Sequence, residues 1–191
     1  DILREIERQH QLRRDQPQRK PGSHSGTPDT FSALLEDVRS LWNVGSIFRT
    51  ADAAGFGALY LCGITGCPPQ KAIAKTSLGA EDHVAWSHHS GALEVLPELR
   101  VQGVQIVALE KTGASVLLKD ALDRCLLKPP LCLIVGNEVA GVSAEALSQA
   151  SLVCHLPMHG MKTSLNVAVA FGIAAYAIRE RAQPISERTS P

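Results

Sequence analysis

The segment NVGSIFRTADAAGF, residues 43–56, carries polar residues that could contact a nucleotide. Its apolar residues recur at helical spacing and predict a helix whose other side holds Asn43, Ser46, Arg49 and Thr50. Arginine makes strong charge-assisted hydrogen bonds to phosphate, and the start of a helix favours anions. The segment therefore fits a phosphate or ribose contact. A solvent-facing arginine on an amphipathic helix fits the same pattern.

A second segment, LIVGNEVAGVS, covers residues 133–143. An apolar strand leads into Gly136, Asn137 and Glu138, and Ser143 is a suitable cap for a following helix. Glycine lets a ligand approach the backbone closely, so this turn predicts a nucleotide-sized pocket. The spacing matches neither the dinucleotide fingerprint nor the P-loop, and neither mechanism is predicted. Glu138 fits a site carboxylate and a surface carboxylate equally well.

The third segment, LPMHGMKTSLNVAVAFGIAAY, covers residues 156–176. Ser164 and Asn166 stand directly before the apolar run Val167–Ile178, and we expect both in the first turn of a helix. Buried polar side chains need hydrogen-bond partners, so the two either cap this helix or hold a ligand and a neighbouring loop. A helix that is apolar on every side predicts packing against both the sheet and a second copy of the chain.

The elements that position these segments alternate between apolar strands and helices. This alternation predicts an α/β fold with a mostly parallel sheet flanked by helices, and ligands bind such sheets at the carboxyl ends of the strands. Strands are expected near residues 32–36, 58–62, 104–109, 131–135 and 152–156, and helices near residues 44–55, 70–78, 91–100, 143–150 and 163–181.

Length and composition indicate one domain with tails. The chain has 191 residues, of which 45% are hydrophobic, enough for one well-buried core. We expect the domain to span residues 31–183, with an N-terminal helix and a basic flexible linker in residues 1–30 and a C-terminal tail in residues 184–191. The excess of arginine and lysine in residues 8–20 fits either a solvated tail or an arm that attracts phosphates.

Several function classes receive no support from the sequence. The apolar run is shorter than the roughly 20 residues that span a bilayer, and no signal segment is evident, so we expect a cytoplasmic protein with no membrane contact. The five cysteines form no CxxC pair and are expected to be buried packing residues rather than disulfides or metal ligands. A net charge of zero gives no overall basic footprint for nucleic acid.

Taken together, the three segments resemble the three motifs of the SpoU (TrmH-like) branch of the SPOUT RNA methyltransferases. KTSLGAEDHVAW, residues 75–86, is similar to the stretch between the first two motifs, and the resemblance covers about residues 31–181. It implies a homodimeric α/β domain with a C-terminal deep trefoil knot. It also implies that S-adenosyl-L-methionine is the cofactor and that a methyl group is transferred to a ribose 2′-hydroxyl of tRNA or rRNA.

The resemblance also implies roles for single residues. Arg49 matches the catalytic arginine, Asn43 the asparagine that arranges its helix, Glu138 the acid of the second motif, and Ser164 and Asn166 the polar pair of the third. Cofactor contacts are implied for Leu109, Gly136, Asn137, Leu156, Met158, Ser164 and Leu165. The sequence departs from the family at Leu41-Trp42, where an Asp-Pro pair commonly precedes the asparagine.

Cations near the first motif could neutralise RNA phosphates. Arg39, Lys71 and Lys75 flank that motif, and we expect RNA contacts from them and from Arg49, although exposed lysines commonly serve solubility alone. Methyl transfer from a sulfonium needs no metal. Arginine holds its proton tightly, which conflicts with a simple role as base. Arg49 therefore either accepts a proton only transiently or stabilises the developing alkoxide. Two other functions remain open: methylation of an RNA base, and a non-catalytic RNA-binding or assembly module.

Overall fold

A seven-stranded parallel sheet forms the centre of the fold. The computed structural model describes residues 30–181, so the predicted helix over residues 1–14, the basic linker and the tail over residues 184–191 lie outside the described residues. The strand order is β3-β2-β1-β6-β4-β7-β5, and every pairing is parallel, which confirms the predicted α/β class. The strands are β1 Phe31–Glu36, β2 Ala58–Cys62, β3 Ala85–His89, β4 Gln105–Leu109, β5 Val116–Leu117, β6 Leu131–Val135 and β7 Leu152–His155.

Helices cover both faces of this sheet. The described part of the chain contains α1 Leu41–Ala54, α2 Lys71–Ser77, α3 Leu96–Val101, α4 Leu118–Asp123, α5 Ala144–Gln149 and α6 Val167–Arg181. Residues of α1, α2, α4 and α6 belong to one buried cluster, and residues of α3 and α5 to the other. Strands β1 and β6, which are neighbours in the sheet, are buried along their whole length because helices cover them from both sides.

The side chains of β1 show how one strand serves both layers. Ala33 and Leu35 lie in the cluster under α1 and α6, whereas Leu34 lies in the cluster under α3 and α5. This alternation follows from the two-residue period of a strand, in which successive side chains point to opposite faces. A buried parallel strand therefore needs consecutive apolar residues, and this is why the apolar runs predicted the sheet.

Helices α1 and α6 lie side by side and run in the same direction. Near their starts the side chain of Asn166 donates to that of Asn43, and near the middle Gly172 lies against Thr50. The rings of Phe56 and Phe171 meet edge to face with centroids 5.5 Å apart, which fixes α6 over the end of α1. This pairing sets the start of both helices beside the same edge of the sheet.

Helix α6 begins later than predicted. It starts at Val167, and the Asn166 side-chain oxygen accepts hydrogen bonds from the backbone N–H groups of Ala168 and Val169, at 2.9 and 3.3 Å. Asparagine is a preferred N-cap because its oxygen satisfies such unpaired donors. The prediction that Ser164 lies in the first turn is wrong, since it belongs to the preceding loop.

The outer side of α6 is apolar and open in the single chain. Val169, Ile173 and Tyr176 recur at helical spacing and keep 51%, 48% and 46% of their surface exposed. The expectation that the helix packs on the sheet is confirmed by buried Phe171 and Ile178. Its second covering partner stays a prediction.

Other differences are local. The sequence did not predict β3, β5 or α4, which are short or carry few apolar residues. The predicted helix over residues 91–100 is divided into a 3₁₀ turn, Ala92–Glu94, and α3, with Pro97 near the start of α3, where a missing N–H is tolerated. Four cysteines are buried as expected, but the prediction is wrong for Cys125, which is exposed at the end of α4.

Two further predictions concern the fold as a whole. The trefoil knot stays a prediction, because strand order alone does not define how the chain is threaded. Within residues 30–181, no helix has the length and apolar character needed to cross a membrane.

Candidate active site

The candidate site lies where four neighbouring strands end. The loops after β1, β6, β4 and β7 leave the same edge of the sheet because these strands are adjacent and parallel. This edge is where open α/β sheets bind ligands. It holds Asn43, Glu138, Ser164 and Asn166 from the three sequence segments, whereas Arg49 and Thr50 lie farther along α1.

Glu138 holds the loop after β6 against the start of α1. Its carboxylate accepts hydrogen bonds from the backbone N–H groups of Arg39 and Ser40 and from the side-chain nitrogen of Asn43, each at 3.0 Å. Partial burial opposes the charged form of this carboxylate, but these hydrogen bonds outweigh the burial and lower its pKa below the ordinary 4.5. Glu138 is therefore an ionised anchor between two loops.

Asn43 connects that anchor to the third segment. While its side-chain nitrogen donates to Glu138, its side-chain oxygen accepts a hydrogen bond from the Asn166 nitrogen at 3.1 Å. The Asn166 oxygen in turn caps α6. This chain of three side chains, Glu138, Asn43 and Asn166, is called here the polar bridge. It joins three segments that lie far apart in the sequence.

The turn after β6 depends on close backbone contacts. A side chain at Gly136 would place its Cβ 2.3 Å from the backbone of Gly141, so only glycine fits. The two sides of the turn are joined by hydrogen bonds between the backbones of Asn137 and Gly141, at 2.9 and 3.0 Å. The Asn137 side chain also donates to the carbonyl of Asp37 at 2.8 Å. The turn is thus held by its own backbone hydrogen bonds and by the Asn137 side chain.

A cavity of about 410 Å³ lies among these loops. Its size is in the range of small-molecule sites, and apolar side chains make up much of its wall. Every residue with a predicted cofactor contact lines it: Leu109, Gly136, Asn137, Leu156, Met158, Ser164 and Leu165. Glu138 also lines the cavity. The structure therefore brings the predicted cofactor residues together, although the sequence places them in three separate segments.

Arg49 is not among the residues that line this cavity. It lies on the outer face of α1, exposed to solvent, about two helical turns beyond Trp42. Arg39, Lys71 and Lys75 are also exposed. The predicted catalytic and RNA-binding cations thus lie on the surface beside the site rather than inside it.

No metal centre is evident in the described range. Within residues 30–181, no group of three or more His, Cys, Asp or Glu side chains is placed to bind a metal ion.

One family matches this chain along most of its length. The model of the SpoU rRNA Methylase family matches residues 30–176. The chain belongs to this family. The match includes all three segments from which the site is built, so the geometry above describes a SpoU domain.

Relatives of this SpoU chain agree with the match. The tRNA (guanosine(18)-2′-O)-methyltransferase of Escherichia coli strain K12 is 30% identical over 156 residues, which cover 82% of this chain and 65% of that protein. Several curated relatives are longer, and the chain spans less than two thirds of their length.

Solved SpoU structures share the fold. A TrmH/SpoU tRNA modifying enzyme from A. aeolicus has a TM-score of 0.71 and 29% identity, and the match covers 92% of this chain and 83% of that one. An AdoMet-bound rRNA methyltransferase from Sinorhizobium meliloti has a TM-score of 0.72 and 28% identity, covering 88% of this chain and 60% of that one.

Sequence reasoning missed two acids that hold the SpoU site together. Glu36 accepts hydrogen bonds from the backbone N–H and hydroxyl of Ser143, at 2.8 and 2.7 Å. Glu110 accepts one from the backbone N–H of Val142 at 2.9 Å and also lines the cavity. Glu36 is the last residue of β1 and Glu110 directly follows β4, in LLE and ALE. An acid at that position of a parallel strand is the signal that could have identified them.

A histidine at the cavity was also missed. His155 ends β7 and lines the cavity, and its Nδ1 lies 2.9 Å from the Ser115 hydroxyl. That hydroxyl donates to the carbonyl of Thr112 at 2.8 Å, so it ties the loop after β4 to the end of β7. The sequence did not indicate this contact. Ser115 directly precedes β5, which pairs with β7 and was not predicted.

Proposed function

We propose that this chain is the catalytic domain of a homodimeric, cytoplasmic RNA methyltransferase that acts on a ribose 2′-hydroxyl of tRNA or rRNA. The methyl donor is S-adenosyl-L-methionine. The observation that carries the proposal is the 410 Å³ cavity, which is lined by every predicted cofactor residue and lies beside the polar bridge in a SpoU chain.

The cavity suits this donor chemically. Leu109, Leu156 and Leu165 offer apolar contact for a nucleoside and for methylene groups. The lining also includes Glu110 and Lys111, which are charges of opposite sign, as a zwitterionic amino-acid group requires. When bound, S-adenosyl-L-methionine would supply the methyl group of its sulfonium to the ribose oxygen, and the neutral thioether would leave.

The chain's own residues orient the reaction. The polar bridge fixes the loop that contains Ser164 and holds the turn at Glu138 against α1. Orientation of a nucleophile can lower a barrier by several kcal/mol when the reacting atoms are held about 3 Å apart. Arg49 accepts the proton of the 2′-hydroxyl after losing its own to water, or as a cation it stabilises the developing alkoxide while the hydroxyl proton passes to water.

The dimer accounts for two unusual features of the surface. Val169, Ile173 and Tyr176 leave an apolar stripe open on α6. Gly172, beside this stripe, lies against Thr50, which adjoins Arg49 on α1. A second copy of the chain seated on the stripe would cover it and meet the face that carries Arg49. In this way Arg49 of one chain can act at the cavity of the other chain.

RNA binding is assigned to the exposed cations beside the site. Arg39, Lys71 and Lys75 lie near the start of α1 and on α2, and Arg49 lies on the outer face of α1. Neutralising phosphates releases counterions, which makes such binding dependent on salt. We therefore expect affinity for RNA to fall steeply between low and physiological salt.

Transfer of tritiated methyl groups tests the function directly. The purified protein is incubated with labelled S-adenosyl-L-methionine and unfractionated tRNA or rRNA lacking modification, and incorporation into RNA is expected. Nuclease digestion then separates the alternatives, because a 2′-O-methyl group blocks cleavage at its own linkage and a base methyl group does not. Label in nuclease-sensitive positions would indicate base methylation. Absence of label with intact RNA binding would indicate a non-catalytic module.

A further inference from the structure

Trp42 is an exposed aromatic residue at the edge of the candidate site. It lies in the first turn of α1, directly before Asn43 of the polar bridge, and 52% of its surface is exposed. The chain contains only two tryptophans, and the other, Trp86, is buried at 7%. About half of the Trp42 surface is therefore left uncovered by its own chain.

Neighbouring residues nevertheless hold Trp42 in place. The Thr76 hydroxyl of α2 donates to the Trp42 carbonyl at 3.0 Å. The Lys75 ammonium lies 5.5 Å from the centroid of the indole ring, within the range of a cation–π contact. At Gly45, a Cβ would lie 2.3 Å from the Ile73 carbonyl, so α2 approaches α1 as closely as a glycine permits. These contacts between α1 and α2 hold the indole in position.

The face of α1 that carries Trp42 also carries Arg49. The two residues are two helical turns apart and both are exposed, and Ser46 lies between them. Lys75 adds positive charge at the Trp42 end of this face, and exposed Arg39 lies just before the start of α1. An exposed indole beside an ammonium group complements a ligand with both an aromatic plane and negative charge. An unpaired nucleotide has both features.

We propose that Trp42 and Lys75 form a nucleotide subsite, in which the indole stacks on an unpaired base of the RNA and the ammonium pairs with a phosphate. The inference rests on the proposed function for its ligand, and it adds a residue pair that positions the RNA next to the target ribose. Single-stranded or looped RNA is the ligand class, because bases inside a duplex have no free face for the indole.

Tryptophan fluorescence measures this contact without turnover. A short mixed-sequence RNA oligonucleotide is titrated into the protein, either single-stranded or annealed to its complement. The single strand is expected to quench the emission of Trp42, and the duplex is expected to quench it less. Trp42→Ala removes the quench, and the emission that remains comes from buried Trp86.

Matched variants test the energetics. Trp42→Ala should weaken oligonucleotide binding about tenfold and raise KM for the methylated RNA by a similar factor, since stacking on one aromatic side chain has about this effect. Trp42→Phe keeps an aromatic plane and should stay within about threefold of the wild type. Lys75→Ala should weaken binding and lower its salt dependence, whereas Lys75→Arg should retain both. Val101, the last residue of α3, is 90% exposed, and Val101→Ala is the control for loss of a surface apolar group.

The outcomes separate the subsite from the activity. Unchanged RNA affinity in Trp42→Ala overturns the subsite, as does conversion of this variant to a monomer or loss of S-adenosyl-L-methionine binding. If the wild type transfers no methyl group but the quench and its loss in Trp42→Ala persist, the proposed activity fails and the subsite stands. If the wild type methylates RNA and Trp42→Ala does so with unchanged KM, the activity stands and the subsite fails.

Discussion

The cavity edge and the outer face of α6 differ in how completely one chain builds them. At the cavity edge, Glu138, Asn43 and Asn166 use their hydrogen-bonding groups on one another and on backbone N–H groups. On the outer face of α6, Ile173 and Tyr176 remain about half exposed and contact no comparable partner layer. The first region is complete within a single chain, whereas the second is an apolar surface that a single chain leaves uncovered.

This difference shows which parts of the function a single chain can supply. A cofactor cavity with a fixed wall needs only the loops at the carboxyl edge of the sheet. Arg49 lies outside that cavity, and its neighbour Thr50 meets Gly172, which precedes Ile173 on α6. We therefore expect substitutions at the cavity edge to act on cofactor affinity and substitutions on the outer surface to act on turnover and assembly.

Arg49→Ala, on the exposed face of α1, is expected to have the largest effect on turnover. Turnover should fall about 100- to 1000-fold, the usual result of removing one group that stabilises developing negative charge. The affinity for S-adenosyl-L-methionine should stay within about twofold, because Arg49 does not line the cavity. Tritiated methyl transfer measures the first quantity and calorimetry the second.

A matched variant is available on the opposite side of the sheet. Arg100 lies on α3, where its guanidinium donates to the Gln149 side chain at 3.0 Å. Arg100→Ala should leave turnover unchanged. Full methylation by Arg49→Ala would remove this residue from the mechanism, and a large loss of cofactor affinity would assign it to the cavity instead.

Ile173→Asp should disrupt assembly. A carboxylate in a buried apolar interface has no partner, and the dissociation constant of the dimer should rise about 10- to 100-fold. Sedimentation equilibrium measures this change. Val101→Asp places the same charge on an exposed aliphatic position of α3 and should leave the dimer intact. A monomeric wild type, or a dimer that tolerates Ile173→Asp, would contradict the assembly proposed here.

The sequence predicted the layers better than the contacts between loops. Apolar runs identified β1, β2, β4, β6 and β7 because buried parallel strands alternate between two cores and need consecutive apolar residues. The short strand β5 gave no such signal. Nor did local pattern predict that Glu138 would reach Asn43, since the pairing joins residues 95 positions apart and depends on the strand order.

The position of Arg49 illustrates the same limit. Helical spacing placed it correctly on the polar side of α1, but spacing contains no information on whether that side faces the cavity. The start of α6 was mistaken for a different reason. Ser164 and Asn166 both precede an apolar run, and only the hydrogen bonds to Ala168 and Val169 identify Asn166 as the cap.

Asn166→Ala tests the cavity edge and should have a moderate effect. It removes the donor to Asn43 and the cap of α6 together, so the affinity for S-adenosyl-L-methionine should fall about tenfold. The free energy of unfolding should fall by about 1 kcal/mol, the usual cost of losing an N-cap. Asn166→Asp keeps an oxygen for the cap and loses the donor. It should therefore retain stability and still bind the cofactor weakly. Calorimetry showing unchanged affinity in both variants would contradict a role for the polar bridge in the cavity.

The pH dependence of Glu138 should give the smallest effect. Hydrogen bonds to the carboxylate lower its pKa below 4.5 in the folded chain, so its contribution to stability is complete above about pH 5 and is lost as pH falls through the lowered pKa. Because the side chain is exposed, solvent screens the interaction, and we expect less than about 1 kcal/mol. Thermal unfolding of the wild type and Glu138→Gln between pH 7 and pH 3 measures it. The wild type should be the more stable protein at pH 7, and the difference should shrink towards pH 3. A difference that grows on acidification would mean that the carboxylate is strained rather than stabilised in the folded chain, and the polar bridge would then have to be held by its two asparagines alone.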